Sequence, residues 1–169
     1  LKGILMTASE DMIRAELDVL ARVKQLPIDP LALAVASNIW RASQIFRNTI
    51  EGKVLRAHNL TWASFSTLFI VWVWEPIGMS AIAESQNVSR PTITSTVSLL
   101  EKRGLCVRIQ GKNGDGRSVD VQLTDSGCQL IEQIFPQVNK GETTFVNGLT
   151  QQEQEMLATL LRKLLKQHL

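Results

Sequence analysis

The stretch SAIAESQNVSRPTITSTVSLLEKRG, residues 80–104, decides the fold of this chain. Its pattern predicts a short helix that Ser80 opens, followed by a second helix that Ser89 caps. Asn87 suits the tight turn between the helices because asparagine tolerates a positive φ, and Gly104 ends the second helix. Two helices joined by such a turn are typical of a helix-turn-helix, in which the second helix enters the major groove of DNA.

The second helix has an apolar face and a polar outer face. Ile93, Val97 and Leu100 recur at the spacing of one helical face and should point inward. The polar face and its flanks carry small, hydroxyl-bearing or basic residues that we predict to contact DNA: Ser89, Arg90, Pro91, Thr92, Thr94, Ser95, Ser98 and Lys102. Small side chains let a helix approach the groove floor, and hydroxyl and guanidinium groups can bond base edges or phosphates. Residues 90–95 are the part expected to touch bases.

Alternating residues after this helix predict a β-hairpin over 105–109 and 118–123 with a polar, glycine-rich tip. On this tip we predict that Lys112 and Arg117 contact DNA. A guanidinium on such a tip can enter a narrow minor groove, where the negative potential is concentrated. Asp115 would repel phosphate, so we expect it to orient Arg117 through a charge-assisted hydrogen bond.

Helices are predicted on both sides of this module. They run from Ser9 to about Leu26, from Asp29 to about Arg56, from Thr61 to the terminating Glu75-Pro76-Ile77-Gly78, from Thr124 to about Asn147, and from Thr150 onward. Pro136 should kink or break the fourth of these helices. Glu153 completes a capping box with Thr150. The fold class is therefore mainly α with a small β-hairpin wing.

The positive charge of the chain is concentrated in one segment. The whole chain carries a net charge of only +2, but residues 85–120 hold six basic and three acidic side chains. A local basic patch is what a nucleic-acid-binding module needs. We expect the charges from Arg103 to Lys112 to include some that steer phosphate.

Other classes of protein find little support in the sequence. There is no apolar stretch of about 18 residues that could span a membrane, no catalytic triad and no glycine-rich phosphate loop, so we predict neither a membrane partner nor an enzyme. Cys106 and Cys128 lack the spacing of a metal site, and no cofactor is expected. Two cysteines in a chain of this length favour a reducing compartment, hence the cytoplasm.

Residues 30–168 resemble the MarR family of bacterial regulators. The resemblance is carried by Leu60-Thr61 before a helix ending near Trp74, VSRPTIT (88–94) continuing to LEKRGL (100–105), GDGRS (114–118) followed by VQLT (121–124) and Gly127, and LTQQE (149–153) opening a leucine-rich terminal helix. The chain departs from the family in an additional first helix over residues 7–26. The Glu84-Ser85-Gln86 segment is also more polar than the family's usual leucine and glycine before the turn.

The resemblance implies a triangular homodimer on a palindromic double-stranded DNA operator. It divides the chain into N-terminal dimerisation helices (1–60), a winged helix-turn-helix (61–124) and C-terminal dimerisation helices (125–169). It also implies a repressor released by a small, often aromatic or phenolic, ligand. We predict a ligand pocket lined by Trp40, Gln44, Arg47, Phe65, Phe69 and Trp72. Core packing is nevertheless the first interpretation for Trp62, Trp72 and Trp74.

Two alternative functions stay open. The protein could sense oxidants through Cys106, at the start of a predicted strand, or through Cys128. Cys128 lies in the first turn of a predicted helix, where the helix dipole can lower the pKa of a thiol. Replacing both cysteines with serine and testing the oxidant response would decide this, although a buried or inert thiol is favoured for each. The winged module could instead bind another protein, but the basic excess and Arg117 argue against that use.

Overall fold

The structure, a computed structural model, describes residues 12–111 and 119–167. Its elements, in chain order, are α1 (Arg14–Val23), α2 (Pro30–Lys53), a 3-10 turn (Leu55–His58), α3 (Trp62–Trp74), β1 (Ile77–Gly78), α4 (Met79–Gln86), α5 (Arg90–Lys102), β2 (Cys106–Gln110), β3 (Val119–Leu123), α6 (Asp125–Val146) and α7 (Gln151–Leu165). The predicted class, mainly helical with a small wing, is confirmed. The described chain divides into two compact units between Ile45 and Phe46, inside α2.

In the first unit, a polar network joins α1 to α2. The buried Glu16 carboxylate accepts a hydrogen bond from Asn38 Nδ2 at 3.2 Å. The Asn38 amide oxygen in turn accepts from the Arg41 guanidinium at 3.0 Å. The predicted start of α1 at Ser9 lies outside the described residues. The helix begins at Arg14 because Ile13 is extended and its carbonyl accepts the first helical hydrogen bonds.

Asp29 caps α2 as predicted, since its side chain accepts from the amides of Leu31 and Ala32 at 2.9 and 3.1 Å. The helix ends at Lys53, a few residues before the predicted end near Arg56. The chain then tightens into the 3-10 turn, which buries Leu55 completely. This turn places α3 for packing in the second unit.

Helix α3 lies at the centre of the second unit. It packs against α4, α5, α6 and β3, and its buried residues include Phe65, Leu68, Ile70 and Val71. Thr61 caps the helix by accepting the amide of Ser64. A helix surrounded in this way buries most of its circumference. The sequence of α3 is accordingly much more apolar than those of the helices that pack around it.

The sheet has three antiparallel strands in the order β1-β3-β2. The predicted hairpin is present, with Cys106 opposite Leu123 and Gln110 opposite Val119. The sequence does not predict β1, because Ile77 and Gly78 follow Pro76 and indicate only the end of a helix. These two residues pair with Val121 and Asp120 of β3. Two residues are too few to show alternation, so only the paired strand reveals β1.

The start of α4 and the middle of α6 also differ from the prediction. Helix α4 begins at Met79 with Gly78 as its N-cap, so Ser80 lies in the first turn instead of capping it. Met79 is buried, and joining the helix lets it pack in the core. Helix α6 continues through Pro136, so the predicted break does not occur. Ile134 and Val138 are both buried, and their packing on either side of the proline holds the helix together.

Helix α7 begins with the predicted capping box between Thr150 and Glu153. None of its described residues is buried in the protomer, and Met156 and Leu160 are 60% and 51% exposed. A row of exposed apolar side chains along one helix is typical of an interaction surface. In the described ranges, no helix is both long and apolar enough to cross a membrane.

Candidate nucleic-acid interface

The turn between α4 and α5 has the geometry that the sequence predicts. Asn87 adopts a left-handed conformation with φ of 51°, and its amide donates to Glu84 O at 3.0 Å. The next amide, of Val88, donates to Ala83 O at 3.0 Å. Both hydrogen bonds close the end of α4 and turn the chain sharply into α5.

Gln86 explains the unusual polarity before this turn. Its side-chain amide donates to Thr67 Oγ1 at 2.8 Å and accepts from Ser66 Oγ at 3.0 Å. Thr67 is fully buried in α3, so the contact satisfies a hydroxyl that would otherwise be costly to desolvate. The polar departure from the family pattern therefore fastens α4 to α3.

Helix α5 buries one face and exposes the other. Ser89 caps the helix by accepting the amide of Thr92, and the predicted inward residues Ile93, Val97 and Leu100 are buried. The residues predicted to contact DNA lie on the remaining surface, where all are exposed except the half-buried Ser98: Ser89, Arg90, Pro91, Thr92, Thr94, Ser95 and Lys102. The structure thus brings this set together along one solvent-facing side of one helix.

The hydroxyl groups on this surface are already partly engaged. Thr94, Ser95 and Ser98 donate to backbone oxygens four residues earlier, at 3.0, 3.1 and 2.8 Å. A hydroxyl that donates still has oxygen lone pairs to offer. In this state these three hydroxyls offer acceptors, which suit the exocyclic amino groups of adenine and cytosine.

The N-terminus of α5 offers few amides to a phosphate. Pro91 has no amide hydrogen, and the Thr92 amide is bonded to the Ser89 hydroxyl. Of the first three helical amides, this leaves at most that of Arg90. The Arg90 side chain is therefore the main group that can donate hydrogen bonds to a phosphate at this end of the helix.

The predicted wing residues lie outside the described part of the chain. Lys112, Asp115 and Arg117 fall in residues 112–118, between the described ends of β2 and β3. The two strands on either side pair in register as far as Gln110 and Val119. The roles of these three side chains in DNA contact stay predictions.

Two arginines in the segment that is expected to steer phosphate, Arg103 and Arg108, make internal contacts. The Arg103 guanidinium donates to Asn59 O at 2.7 Å and to His58 O at 3.0 Å. Arg108 forms an ion pair with Glu101 and donates to Ser98 Oγ at 2.8 Å. No local sequence pattern predicts these contacts, because they join helices, strands and turns that come together only when the chain folds.

The pKa values of both cysteine thiols are raised, not lowered. Burial raises the pKa of the Cys106 thiol to about 11, and the nearby Glu101 adds to the shift. Burial also raises the pKa of Cys128, followed in effect by the carboxylates of Glu75, Glu132 and Asp125. These directions oppose the hypothesis of a lowered pKa, because the thiolate is the form that reacts with oxidants.

The aromatic residues of the predicted ligand pocket are packed together in part. The Phe65 ring lies 6.3 Å from that of Phe69, which is 6.2 Å from Trp72 and 5.3 Å from Phe135. Trp62 joins this row beside Phe65. The row gives Trp62 and Trp72 the packing role expected for them.

The remaining residues predicted for the core or for the ligand pocket, Trp74, Trp40, Gln44 and Arg47, are not part of this aromatic row. Trp74 is 56% exposed, so its assignment to the core was wrong: it is the last residue of α3, beyond the packed part of the helix. On α2, Trp40 is 63% exposed, Arg47 is exposed and Gln44 is half-buried. A ligand pocket involving these residues stays a prediction. Within residues 12–111 and 119–167, no cluster of side chains could hold a metal ion.

Comparisons with known proteins agree with this geometry. The model of the MarR family matches residues 60–119, which run from just before α3 to the start of β3. A relative in Bacillus subtilis (strain 168), an uncharacterized HTH-type transcriptional regulator called YwaE, is 38% identical over 157 residues. The match covers 91% of each protein.

Solved structures with the same fold include two regulators. The S. aureus MepR–DNA complex is 25% identical, with a TM-score of 0.69, and the match covers 78% of this chain and 96% of that one. Bordetella bronchiseptica BpsR, whose DNA binding is regulated by 6-hydroxynicotinic acid, is 23% identical with a TM-score of 0.70. That match covers 78% of this chain and 98% of BpsR, and it shows a shared fold.

Proposed function

The chain belongs to the MarR family of DNA-binding transcriptional regulators, and we propose that it is a homodimeric repressor that binds a palindromic operator and leaves it when a small ligand binds. The observation that carries DNA readout is the exposed face of α5. It presents Arg90, Thr94 and Ser95 to solvent on a helix whose opposite face is buried in the core. Side chains of this kind on a rigid helix can read base edges in the major groove.

The dimer is supported by apolar surface that the protomer leaves uncovered. In the second unit, α7 exposes an apolar stripe that includes Leu160 and Leu164. In the first unit, Leu31, Val35 and Ile39 of α2 are each more than two-fifths exposed.

The MepR complex is a precedent for DNA binding by this fold. Two protomers would place their α5 helices in successive major grooves, about 34 Å apart.

Release by a ligand would be a shift between two dimer conformations. A ligand can shift such an equilibrium only by its difference in affinity for the two states. BpsR, with the same fold, is a precedent for regulation by a small aromatic acid. We propose an aromatic or phenolic ligand for this protein as well. We further propose that the protein has no enzymatic activity and works in the cytoplasm, where its DNA is.

The proposed function is tested by selecting bound sequences from a random pool of duplex DNA with the wild type and with Arg117→Ala. We expect the wild type to enrich an inverted repeat. We expect the variant to bind that repeat about tenfold more weakly, because a minor-groove guanidinium that also neutralises phosphate is lost. Titrations at two salt concentrations should show a shallower salt dependence for the variant.

The opposite result would favour the second candidate function. If the wild type binds DNA weakly, enriches no sequence and is unaffected by the Arg117 substitution, DNA readout is wrong. The winged module would then be a surface for another protein. Raised thiol pKa values give no comparable support to oxidant sensing.

A further inference from the structure

Arg108 joins the wing to α5 through a set of contacts that the proposed function does not use. We propose that Arg108 is a positioning residue, which fixes β2 against α5 so that the wing and the helix meet DNA in one relative orientation. This inference rests on the proposed readout of DNA by α5. In this role, Arg108 and its partner Glu101 help the protein to discriminate between DNA sequences, although neither side chain contacts DNA.

The geometry of the contacts suits this role. Thr94, Ser98 and Glu101 follow one another along one face of α5, at spacings of four and three residues. The Arg108 side chain, coming from β2, donates to Thr94 O at 3.2 Å and to Ser98 Oγ at 2.8 Å, and pairs with the Glu101 carboxylate. A planar guanidinium fixed at three points holds an orientation that a single ion pair could not.

Glu101 holds Arg108 by its backbone as well as by its side chain. The backbone amide of Arg108 donates to Glu101 Oε1 at 3.2 Å, while the guanidinium pairs with Oε2. One carboxylate therefore fixes both the position of the β2 backbone and the direction of the side chain. Since β2 leads directly into the tip of the wing, its placement on α5 sets where the wing begins.

The charge of Arg108 is compensated within the protein. Its side chain is only 30% exposed, and that of Glu101 is 33% exposed. A cation that is paired and partly buried does not release a counterion from DNA unless the pair breaks. Lys102, on the same helix, is exposed and is the natural comparison for a residue that contacts phosphate.

Ser98 belongs to this assembly more than to the DNA-reading set. Its hydroxyl donates to Thr94 O and accepts from Arg108, both at 2.8 Å. With the donor and one lone pair in use, the half-buried hydroxyl has little left for a base. We therefore place base readout in residues 90–95 and give Ser98 a structural part.

The test compares Arg108→Gln and Arg108→Lys with the wild type on the selected operator and on random duplex DNA, over a range of salt concentrations. Lysine keeps the charge but lacks the planar guanidinium, whose two terminal nitrogens reach Glu101 on one side and Thr94 O and Ser98 Oγ on the other. We expect both variants to lose about tenfold in the ratio of operator to random affinity. We expect the slope of log affinity against log salt to stay unchanged, because no phosphate contact is lost.

Lys102→Gln is the matched control, in which an exposed charge on the same helix is removed. Here the slope should become shallower by about 0.9 for each subunit, with the affinity ratio unchanged. The proposal is overturned if Arg108→Gln behaves like this control and Arg108→Lys restores the slope, since Arg108 would then contact phosphate. It is equally overturned if neither Arg108 variant changes the affinity ratio.

Glu101→Gln provides an independent measurement should the Arg108 variants fold poorly. Loss of the carboxylate should strengthen binding to random DNA while lowering the affinity ratio, because it frees Arg108 and loosens β2. If the substitution only relieved repulsion between the Glu101 carboxylate and DNA, it would strengthen binding to the operator and to random DNA equally. An unchanged ratio of operator to random affinity would therefore contradict the proposal.

If the wild type enriches no operator at all, the proposed function fails, and the role of Arg108 fails with it. If the wild type binds an operator and the Arg108 and Glu101 variants leave the ratio of operator to random affinity unchanged, only the role of Arg108 is refuted.

Discussion

Replacing Leu160 and Leu164 with glutamate converts the protein to a monomer and lowers its operator affinity by at least about a hundredfold. Both leucines lie on the exposed stripe of α7, which has no buried residue among those described in the protomer. Four carboxylates in one dimer interface would have to be desolvated without partners, which costs far more than dimerisation gains. In a dimer, binding of one subunit to its half-site raises the effective concentration of the second subunit at the other half-site. A monomer loses this gain in affinity.

Sedimentation and operator titration measure this effect, and Gln152→Glu with Thr159→Glu is the matched control. These two residues are exposed and are turned by roughly 80° to 140° around α7 from Leu160 and Leu164, so they add the same charge to the helix outside the substituted positions. The control should stay dimeric and bind the operator as the wild type does. A Leu160/Leu164 variant that remains a dimer with full operator affinity would show that α7 is not the interface.

Gly127→Ala should lower the free energy of unfolding by about 3 kcal/mol, the largest loss of stability that we expect from a single added methyl group. A Cβ atom at Gly127 would lie 2.0 Å from the carbonyl oxygen of Leu105. That oxygen already accepts the amide of Thr124 at 3.2 Å, so backbone at the start of β2 or of α6 would have to move. The cause is the close approach of two backbones, because the obstacle is a carbonyl oxygen and not a flexible side chain.

Gly52→Ala is the control for this prediction. A Cβ atom there meets nothing within 4 Å, and alanine is the better helix former by about 1 kcal/mol. Urea unfolding at one fixed protein concentration compares the two variants, since the stability of a dimer depends on concentration. Equal stability of Gly127→Ala and Gly52→Ala would mean that α6 does not begin against Leu105 as described.

The sequence predicts local features of this fold well, because their causes are local. The buried face of α5 follows from the spacing of Ile93 and Val97, and the turn follows from the tolerance of Asn87 for a positive φ. The caps at Thr61 and Thr150 depend on side chains within three residues of the amides that they accept. In each case the deciding interactions lie within a few positions along the chain.

Features that depend on distant partners could not be predicted in the same way. β1 exists because β3 pairs with it, and Arg103 is bound by carbonyls more than 40 residues away. Continuity of α6 through Pro136 depends on the core around Ile134. The roles of the predicted DNA-contacting residues depend on a partner that the sequence only implies.

The most direct test of base readout by α5 is the sequence selected by an Arg90→Ala/Ser95→Ala variant from random duplex DNA. Both residues are exposed, so their removal should leave the fold intact, and Arg14→Ala, an exposed arginine of α1, serves as the control. The account predicts that the control enriches the wild-type inverted repeat, while the variant loses base preference at one or more symmetric pairs of positions. Each lost contact should cost about 1–3 kcal/mol of discrimination. If the variant enriches the same repeat with the same affinity as the wild type, α5 does not read the sequence of the DNA.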